Sequence, residues 1–265
     1  MFTVKLYLAI VRLMRFPVLL AIACCSCLAT AAEPVVAVAA NLSKPMASLA
    51  ANFARESGTQ VRLTIGSSGD LLRQIQQGAP YEIYIAAATS YTKRAQEENL
   101  TDGEPVVLAV ANMGAFIPGG SSLEAATDLA ELGRMLAAGK YKRIAMANPE
   151  VAPFGVAAQQ ALEKMGVWTL EQDRLVLGEN VAQTVQFTLA GGVDVGFIPQ
   201  SYALLPEVAA RGRFLPVPPG WHDPLTQTMV LLRGAGTEAR AFFVFLQSPA
   251  TRDFLLHSGY GAPAP

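Results

Sequence analysis

Four short turns of small and polar residues have the composition needed to bind an anion without any charged side chain. They lie at residues 39–42, 66–70, 152–155 and 179–181, and each separates strand-forming residues from a predicted helix. The first amides of a helix have no intrahelical acceptor and carry about half a positive charge. Four helix starts that met at one point would form a neutral, directional site for an oxyanion. A fully ionised oxyanion suits such a site best, because a protonated oxygen would find no acceptor.

The turn at 66–70 combines a helix cap with a second serine. Ser67 and Asp70 have the spacing of a capping pair, in which Ser67 satisfies the start of the helix. Ser68 would then present both its hydroxyl and its amide to a ligand. The alternative, in which both serines only cap the helix and turn the chain, stays open at this point.

Two asparagines follow predicted strands in other turns. Asn180 and Gln183 resemble a second capping pair, which would leave the amide of Val181 exposed at the tip of its helix. Asn41 has a side chain that commonly caps a helix. If Ser43 caps that helix instead, the side chain of Asn41 is free to bind a ligand.

The turn at 152–155 offers main-chain donors. Pro153 suits the first position of a helix, because its missing amide would have had no partner there. Phe154 and Gly155 would then contribute unpaired amides just behind it, and the small Gly155 lets another group approach the backbone closely. Phe154 could also be an ordinary core residue, and its amide would remain available.

The elements that must position these turns alternate between strand and helix, which is typical of α/β proteins. Apolar runs predict strands, and apolar residues at helical spacing predict helices between them. The predicted strands cover residues 35–39, 61–65, 81–86, 143–147, 175–177, 193–198 and 228–232. The predicted helices cover about 46–53, 71–78, 153–165, 181–189, 239–246 and 251–257.

Two segments, 113–118 and the proline-rich 217–225, are predicted to cross between two α/β lobes. The first lobe would comprise residues 33–113 plus 226–265, and the second residues 114–225. Ligands of such folds lie at the carboxyl ends of strands, where helices begin. With two lobes, that position is the cleft between them.

Residues 1–32 have the features of a cleavable export signal. Three basic residues precede an apolar run over 16–28, and small residues at 29–32 offer a cleavage site. The run is shorter than the roughly 20 residues that span a bilayer, which argues against a membrane anchor. A lipoprotein is the alternative, because Cys24, Cys25 and Cys27 lie near its end, but residues 21–23 lack the leucine expected there. We therefore expect a periplasmic protein.

Composition excludes several classes of function. The three cysteines all lie in the leader, so the remaining residues offer no disulfide and no thiolate. Removing three leader cations leaves 20 − 3 = 17 basic residues against 21 acidic ones, a net charge of −4. That balance disfavours nucleic acid and anionic membranes as partners, and a bound anion would depend on local donors.

Three other classes of function compete with an anion receptor. An enzyme would need more than His222 and His257, which lack metal-ligand spacing, and residues 66–69 do not form G-x-S-x-G. A receptor for an organic solute would normally have a charged clamp and aromatic walls, for which only Tyr84 and Tyr202 are candidates. A pure interaction protein would bind no small ligand.

The motifs together resemble the periplasmic molybdate-binding proteins of ABC importers, which are type II solute receptors. The resemblance runs from residue 35 to residue 261. It rests on residues 39–42, 66–75, 78–80, 148–155, 162–168, 179–181, 245–248 and 259–261. It implies a two-lobed type II periplasmic-binding-protein fold, with mixed sheets flanked by helices and a ligand cleft between the lobes. It also implies a monomer without catalytic residues or cofactor that delivers molybdate or tungstate to a membrane permease.

The resemblance also implies the residues that bind the anion, with molybdenum held only as its oxyanion. They are Asn41, Ser68, the amide of Phe154 and the amide of Val181; Ser67 is a further candidate. Relatives often have a tyrosine at the position of Pro199, and its bond would be absent here or supplied by Ser201 or Tyr202. Relatives often have an aspartate at the position of Ala88. These departures leave molybdate, tungstate, a related anion and another small solute as alternatives.

Overall fold

The computed structural model describes residues 33–262, and the predicted signal peptide lies outside them. Eleven strands occur in this range: β1 (Val35–Ala39), β2 (Arg62–Gly66), β3 (Ile83–Ala86), β4 (Val106–Ala111), β5 (Met113–Pro118), β6 (Ile144–Ala147), β7 (Leu175–Gly178), β8 (Val195–Pro199), β9 (Gly212–Pro216), β10 (Leu225–Leu231) and β11 (Tyr260–Gly261). They form two mixed sheets, as the sequence predicts.

The first sheet has six strands in the order β11-β4-β10-β3-β1-β2. Its β1, β2 and β3 run parallel, whereas β10 and β11 pair antiparallel. The second sheet has five strands in the order β7-β6-β8-β5-β9, of which β6, β7 and β8 run parallel. Each sheet therefore keeps parallel strands on one side, where strand-to-helix turns can carry a site.

Helices flank both sheets. They are α1 (Ser43–Ser57), α2 (Ser68–Gln76), α3 (Thr89–Glu97), α4 (Leu129–Ala137), α5 (Pro153–Lys164), α6 (Trp168–Glu171), α7 (Val181–Leu189), α8 (Gln200–Ala203), α9 (Pro206–Ala209), α10 (Thr237–Phe245) and α11 (Pro249–His257). Short 3-10 turns occupy Ala40–Leu42, Gln172–Arg174 and Pro219–Trp221. Among the described residues, no helix has both the length and the apolar character that a membrane span requires.

The apolar periodicity of the sequence explains the packing of α1. Met46, Leu49 and Phe53 fall on one helical face and all three are buried. Phe53 packs against Phe242 and Phe245 of α10, with ring centroids 5.1 and 5.4 Å apart. Burial of aromatic surface of this kind fixes α1 against α10.

The connections between the sheets differ from the sequence prediction in one respect. Residues 113–118, predicted to be a crossover, form β5, which pairs with β8 and β9 inside the second sheet. The chain crosses at Asn112 alone, because five apolar or small residues after it pack as a buried strand. It returns through residues 217–224. The lobe boundaries 33–113 plus 226–265 and 114–225 stay a prediction.

Strand register brings the four turns predicted to bind an anion together in pairs. Ala39 at the end of β1 lies opposite Gly66 at the end of β2, so the turns that follow them are neighbours. Ala147 at the end of β6 lies opposite Gly178 at the end of β7 in the same way. Each sheet thus contributes one pair of adjacent helix starts.

Candidate anion-binding site

A small cavity of about 10 Å³ lies where these two pairs of turns meet. All four predicted anion-binding residues line it, together with the serine that precedes one of them. Its lining residues are Ala39, Ala40, Asn41, Gly66, Ser67, Ser68, Ala87, Ala152, Pro153, Phe154, Asn180 and Val181. None of these residues has an ionisable side chain, so any ligand must be held by neutral groups.

Ser68 is oriented by two buried contacts. The amide of Ala87 donates to Ser68 Oγ at 3.0 Å, so the hydroxyl hydrogen remains free to donate elsewhere. The Tyr84 hydroxyl donates to the carbonyl oxygen of Ser68 at 2.6 Å. Burial raises the pKa of Tyr84 well above its ordinary value, so this hydroxyl stays protonated. The sequence predicts Tyr84 only as a candidate aromatic near the site, and this positioning role could not be inferred from it.

Ser67 caps α2, as its spacing predicts. Its Oγ accepts from the amide of Asp70 at 3.1 Å and donates to Asp70 Oδ2 at 2.6 Å. The hydroxyl is therefore occupied, although Ser67 lines the cavity. The amide of Ser68, at the first position of α2, donates to no other atom among residues 33–262.

The start of α7 also agrees with its predicted cap. Asn180 Oδ1 accepts from the amides of Ala182 and Gln183 at 3.0 and 3.2 Å. The side chain of Gln183 in turn accepts from the amide of Glu179 at 2.7 Å. Within the described chain the amide of Val181 has no acceptor, because the Asn180 side chain binds the two amides that follow it instead.

The start of α5 leaves one free amide rather than the two predicted. Pro153 is the first helical residue, and the amide of Phe154 has no acceptor among the described residues. The amide of Gly155 donates to the carbonyl of Ala152 at 2.8 Å, so the prediction that it is free is wrong. A Cβ at Gly155 would lie 2.4 Å from the carbonyl oxygen of Ala147. The missing side chain therefore allows α5 to pack closely against the end of β6.

Asn41 does not present its side-chain amide as predicted. Ser43 is not the N-cap of α1, because the chain enters α1 through the 3-10 turn Ala40–Leu42. Asn41 Nδ2 donates to Gln227 Oε1 at 2.8 Å and lies 3.4 Å from the Tyr260 hydroxyl. Gln227 is held in that orientation because its own Nε2 donates to the carbonyl of Leu225. Asn41 can therefore offer an anion only its main-chain amide, which lies in the first turn of the 3-10 helix.

One buried polar atom at the cavity has no partner. Asn41 Oδ1 forms no hydrogen bond in the described structure, although Asn41 is only 1% exposed. The sequence did not predict the partners of Asn41 Nδ2, Gln227 and Tyr260, since they lie 186 and 219 residues away. A glutamine between two threonines near the start of β10 was the local signal.

Ser201 and Tyr202 do not line the cavity. The Tyr202 hydroxyl donates to the carbonyl of Ala40 at 3.1 Å and lies 2.7 Å from Ser43 Oγ. Ser201 Oγ lies 3.3 Å from the Tyr260 hydroxyl. Both side chains therefore help to hold the turn that carries Asn41, without contributing to the cavity lining.

The two departures from the family pattern lie outside the cavity lining. Pro199 ends β8, where it pairs with Met113. Ala88 precedes α3 without a side-chain cap and lines a larger groove beside the cavity. No group of three or more potential metal ligands occurs within residues 33–262, and His222 and His257 bond to nearby carbonyls.

The bacterial extracellular solute-binding protein family matches residues 34–261, nearly the whole described chain. The chain belongs to this family. Among its relatives, molybdate-binding protein ModA of Azotobacter vinelandii is 31% identical over 94% of this chain and 98% of its own length. ModA of Rhodobacter capsulatus is 32% identical over 88% of this chain and 89% of its own length.

A solved structure has the same fold. The Azotobacter vinelandii periplasmic molybdate-binding protein superposes with a TM-score of 0.79, over 88% of this chain and all of its own, at 25% identity. The two-lobed fold with mixed sheets that the sequence predicts is thereby confirmed.

Proposed function

We propose that this chain is an exported receptor that binds molybdate, or tungstate of the same shape and charge, and delivers it to an ABC transporter permease. The observation that carries this proposal is the set of unpaired donors around one uncharged cavity. Relatives named for molybdate binding support the choice of anion.

Five donors form the proposed shell. They are the main-chain amides of Asn41, Ser68, Phe154 and Val181 and the hydroxyl of Ser68. Asn41 and Ser68 belong to the first sheet's turns, whereas Phe154 and Val181 belong to the second's. Hydrogen bonds to an ionised oxygen are roughly twice as strong as neutral ones, so the dianion replaces its lost hydration with directed amides.

The size of the cavity favours an inorganic anion over an organic solute. At about 10 Å³ it is far smaller than the roughly 300–1,000 Å³ typical of pockets for organic ligands. It also lacks the charged clamp that would pair with an amino acid. We therefore favour oxyanions over amino acids and polyamines as ligands.

Capture is proposed to proceed by closure of the two lobes. The anion meets the donors of one lobe, and rotation about the connections at Asn112 and residues 217–224 brings in the donors of the other. The closed form is then the one that a permease recognises. We further propose that residues 1–32 direct export to the periplasm and that the protein acts as a monomer and not as an enzyme.

Isothermal titration calorimetry of the purified protein tests the proposal. Molybdate and tungstate should bind with one-to-one stoichiometry, sulfate more weakly, and amino acids not at all. Tight binding of an amino acid together with no heat from any oxyanion would refute it.

A further inference from the structure

The two lobes touch through main-chain atoms beside the cavity. The amide of Gly69 donates to the carbonyl oxygen of Val151 at 2.9 Å. Gly69 belongs to the first turn of α2 in the lobe of the first sheet, and Val151 lies just before α5 in the lobe of the second. The contact is one residue from Ser68 and three residues from Phe154.

A glycine at position 69 is required by this contact and not by the local backbone. Gly69 lies within α2 and is not among the positive-φ residues of the described chain, so its conformation suits any residue. Alanine would favour the helix more than glycine does. A Cβ at this position, however, would lie 2.9 Å from Val151 O and 3.1 Å from Val151 Cα. Main-chain atoms cannot move aside as the end of a flexible side chain can.

We propose that the Gly69–Val151 hydrogen bond is the latch that holds the lobes closed over the ligand. The latch binds no part of the anion. It aligns the amide of Phe154 with Ser68 because it joins the two turns that carry them. This inference rests on the proposed function, since it assigns the residue that couples anion binding to closure.

The latch predicts opposite effects of one substitution on stability and on affinity. Gly69→Ala should leave the unfolding temperature of the ligand-free protein unchanged or slightly higher, because alanine suits the helix. It should weaken molybdate binding about tenfold or more, because the lobes cannot close fully. A residue with only a structural role would instead lower both stability and affinity.

Gly192→Ala is the matched control. Gly192 has no positive φ, and a Cβ there would meet no atom within 4 Å. This variant should bind molybdate as tightly as the wild type. Thermal unfolding without ligand and calorimetric titration with molybdate should therefore be measured for the wild type and both variants.

The outcomes separate the latch from the function on which it rests. Equal molybdate affinity in Gly69→Ala and the wild type would overturn the latch, as would a joint loss of affinity and ligand-free stability. If the wild type binds no oxyanion, the proposed function fails instead. A crystal structure of Gly69→Ala then tests the latch independently. If the latch exists, the amide of residue 69 lies beyond hydrogen-bond distance of Val151 O in this variant. A retained hydrogen bond refutes the latch.

Discussion

The hydroxyl oxygen of Ser68 accepts a hydrogen bond from the amide of Ala87 at 3.0 Å, which turns the hydroxyl hydrogen away from Ala87. Ser68 is 1% exposed and lines the cavity, so that hydrogen is directed where solvent cannot compete for it. The geometry makes Ser68 a donor by both its amide and its side chain.

Ser68→Ala should weaken molybdate binding by about 1.5–3 kcal/mol, roughly ten- to a hundredfold in Kd, through loss of a charge-assisted hydrogen bond. Titration calorimetry measures the change. Ser67→Ala is the control, because it removes a neighbouring hydroxyl that only caps α2 and should cost about 1 kcal/mol of stability with little effect on Kd. An unchanged Kd in Ser68→Ala would count against the proposed shell.

Val181→Pro should remove one main-chain donor without disrupting α7. Val181 is the first residue of the helix, where proline is well tolerated, and Asn180 before it is extended, with φ −154° and ψ 173°. The expected loss is again about 1.5–3 kcal/mol of binding free energy. Val181→Ala retains the amide and serves as the comparison, and equal affinities of the two variants would show that this amide does not bind the anion.

Molybdate affinity should be nearly independent of pH from about pH 6 to about pH 9, because no residue lining the cavity titrates there. The supporting phenols do not change this, since burial raises the pKa values of Tyr84, Tyr202 and Tyr260 above the ordinary 10.0. Calorimetry across this range in buffers of constant ionic strength measures the slope. A tenfold change in Kd within it would reveal a titrating group that the described site does not contain.

Asp194 should make folding stability sensitive to acid. Burial alone would raise its pKa, but hydrogen bonds from the amide of Lys142, from Ser122 and from the amide of Arg143 lower it below the ordinary 3.8. Because the folded-state pKa is depressed, the stabilisation is present above pH 3.8 and is lost as the pH falls through the folded-state pKa.

Asp194→Asn should accordingly lower the unfolding free energy by about 1–3 kcal/mol at neutral pH, since a neutral amide satisfies these donors less well. The difference from wild type should shrink as the solution is acidified below the ordinary carboxylate pKa. Urea denaturation at several pH values tests this, and a difference that stays constant with pH would contradict the role assigned to the carboxylate.

Local sequence determined the elements that carry the site. The Ser67–Asp70 and Asn180–Gln183 spacings predict helix caps that form between residues three apart, and the apolar run at 35–39 predicts β1. Such features depend on neighbours in the chain, so tertiary packing did not change them. The amides that the caps leave free, at Ser68 and Val181, could be identified from the sequence for the same reason.

Tertiary structure alone decided how the turns face one another and which groups stay free. Asn41 lost its side-chain amide to Gln227, 186 residues away. The contact of Gly69 with Val151 likewise depends on the relative positions of two sheets. Pairings over such distances follow from strand register and lobe packing, which no local pattern of residues encodes.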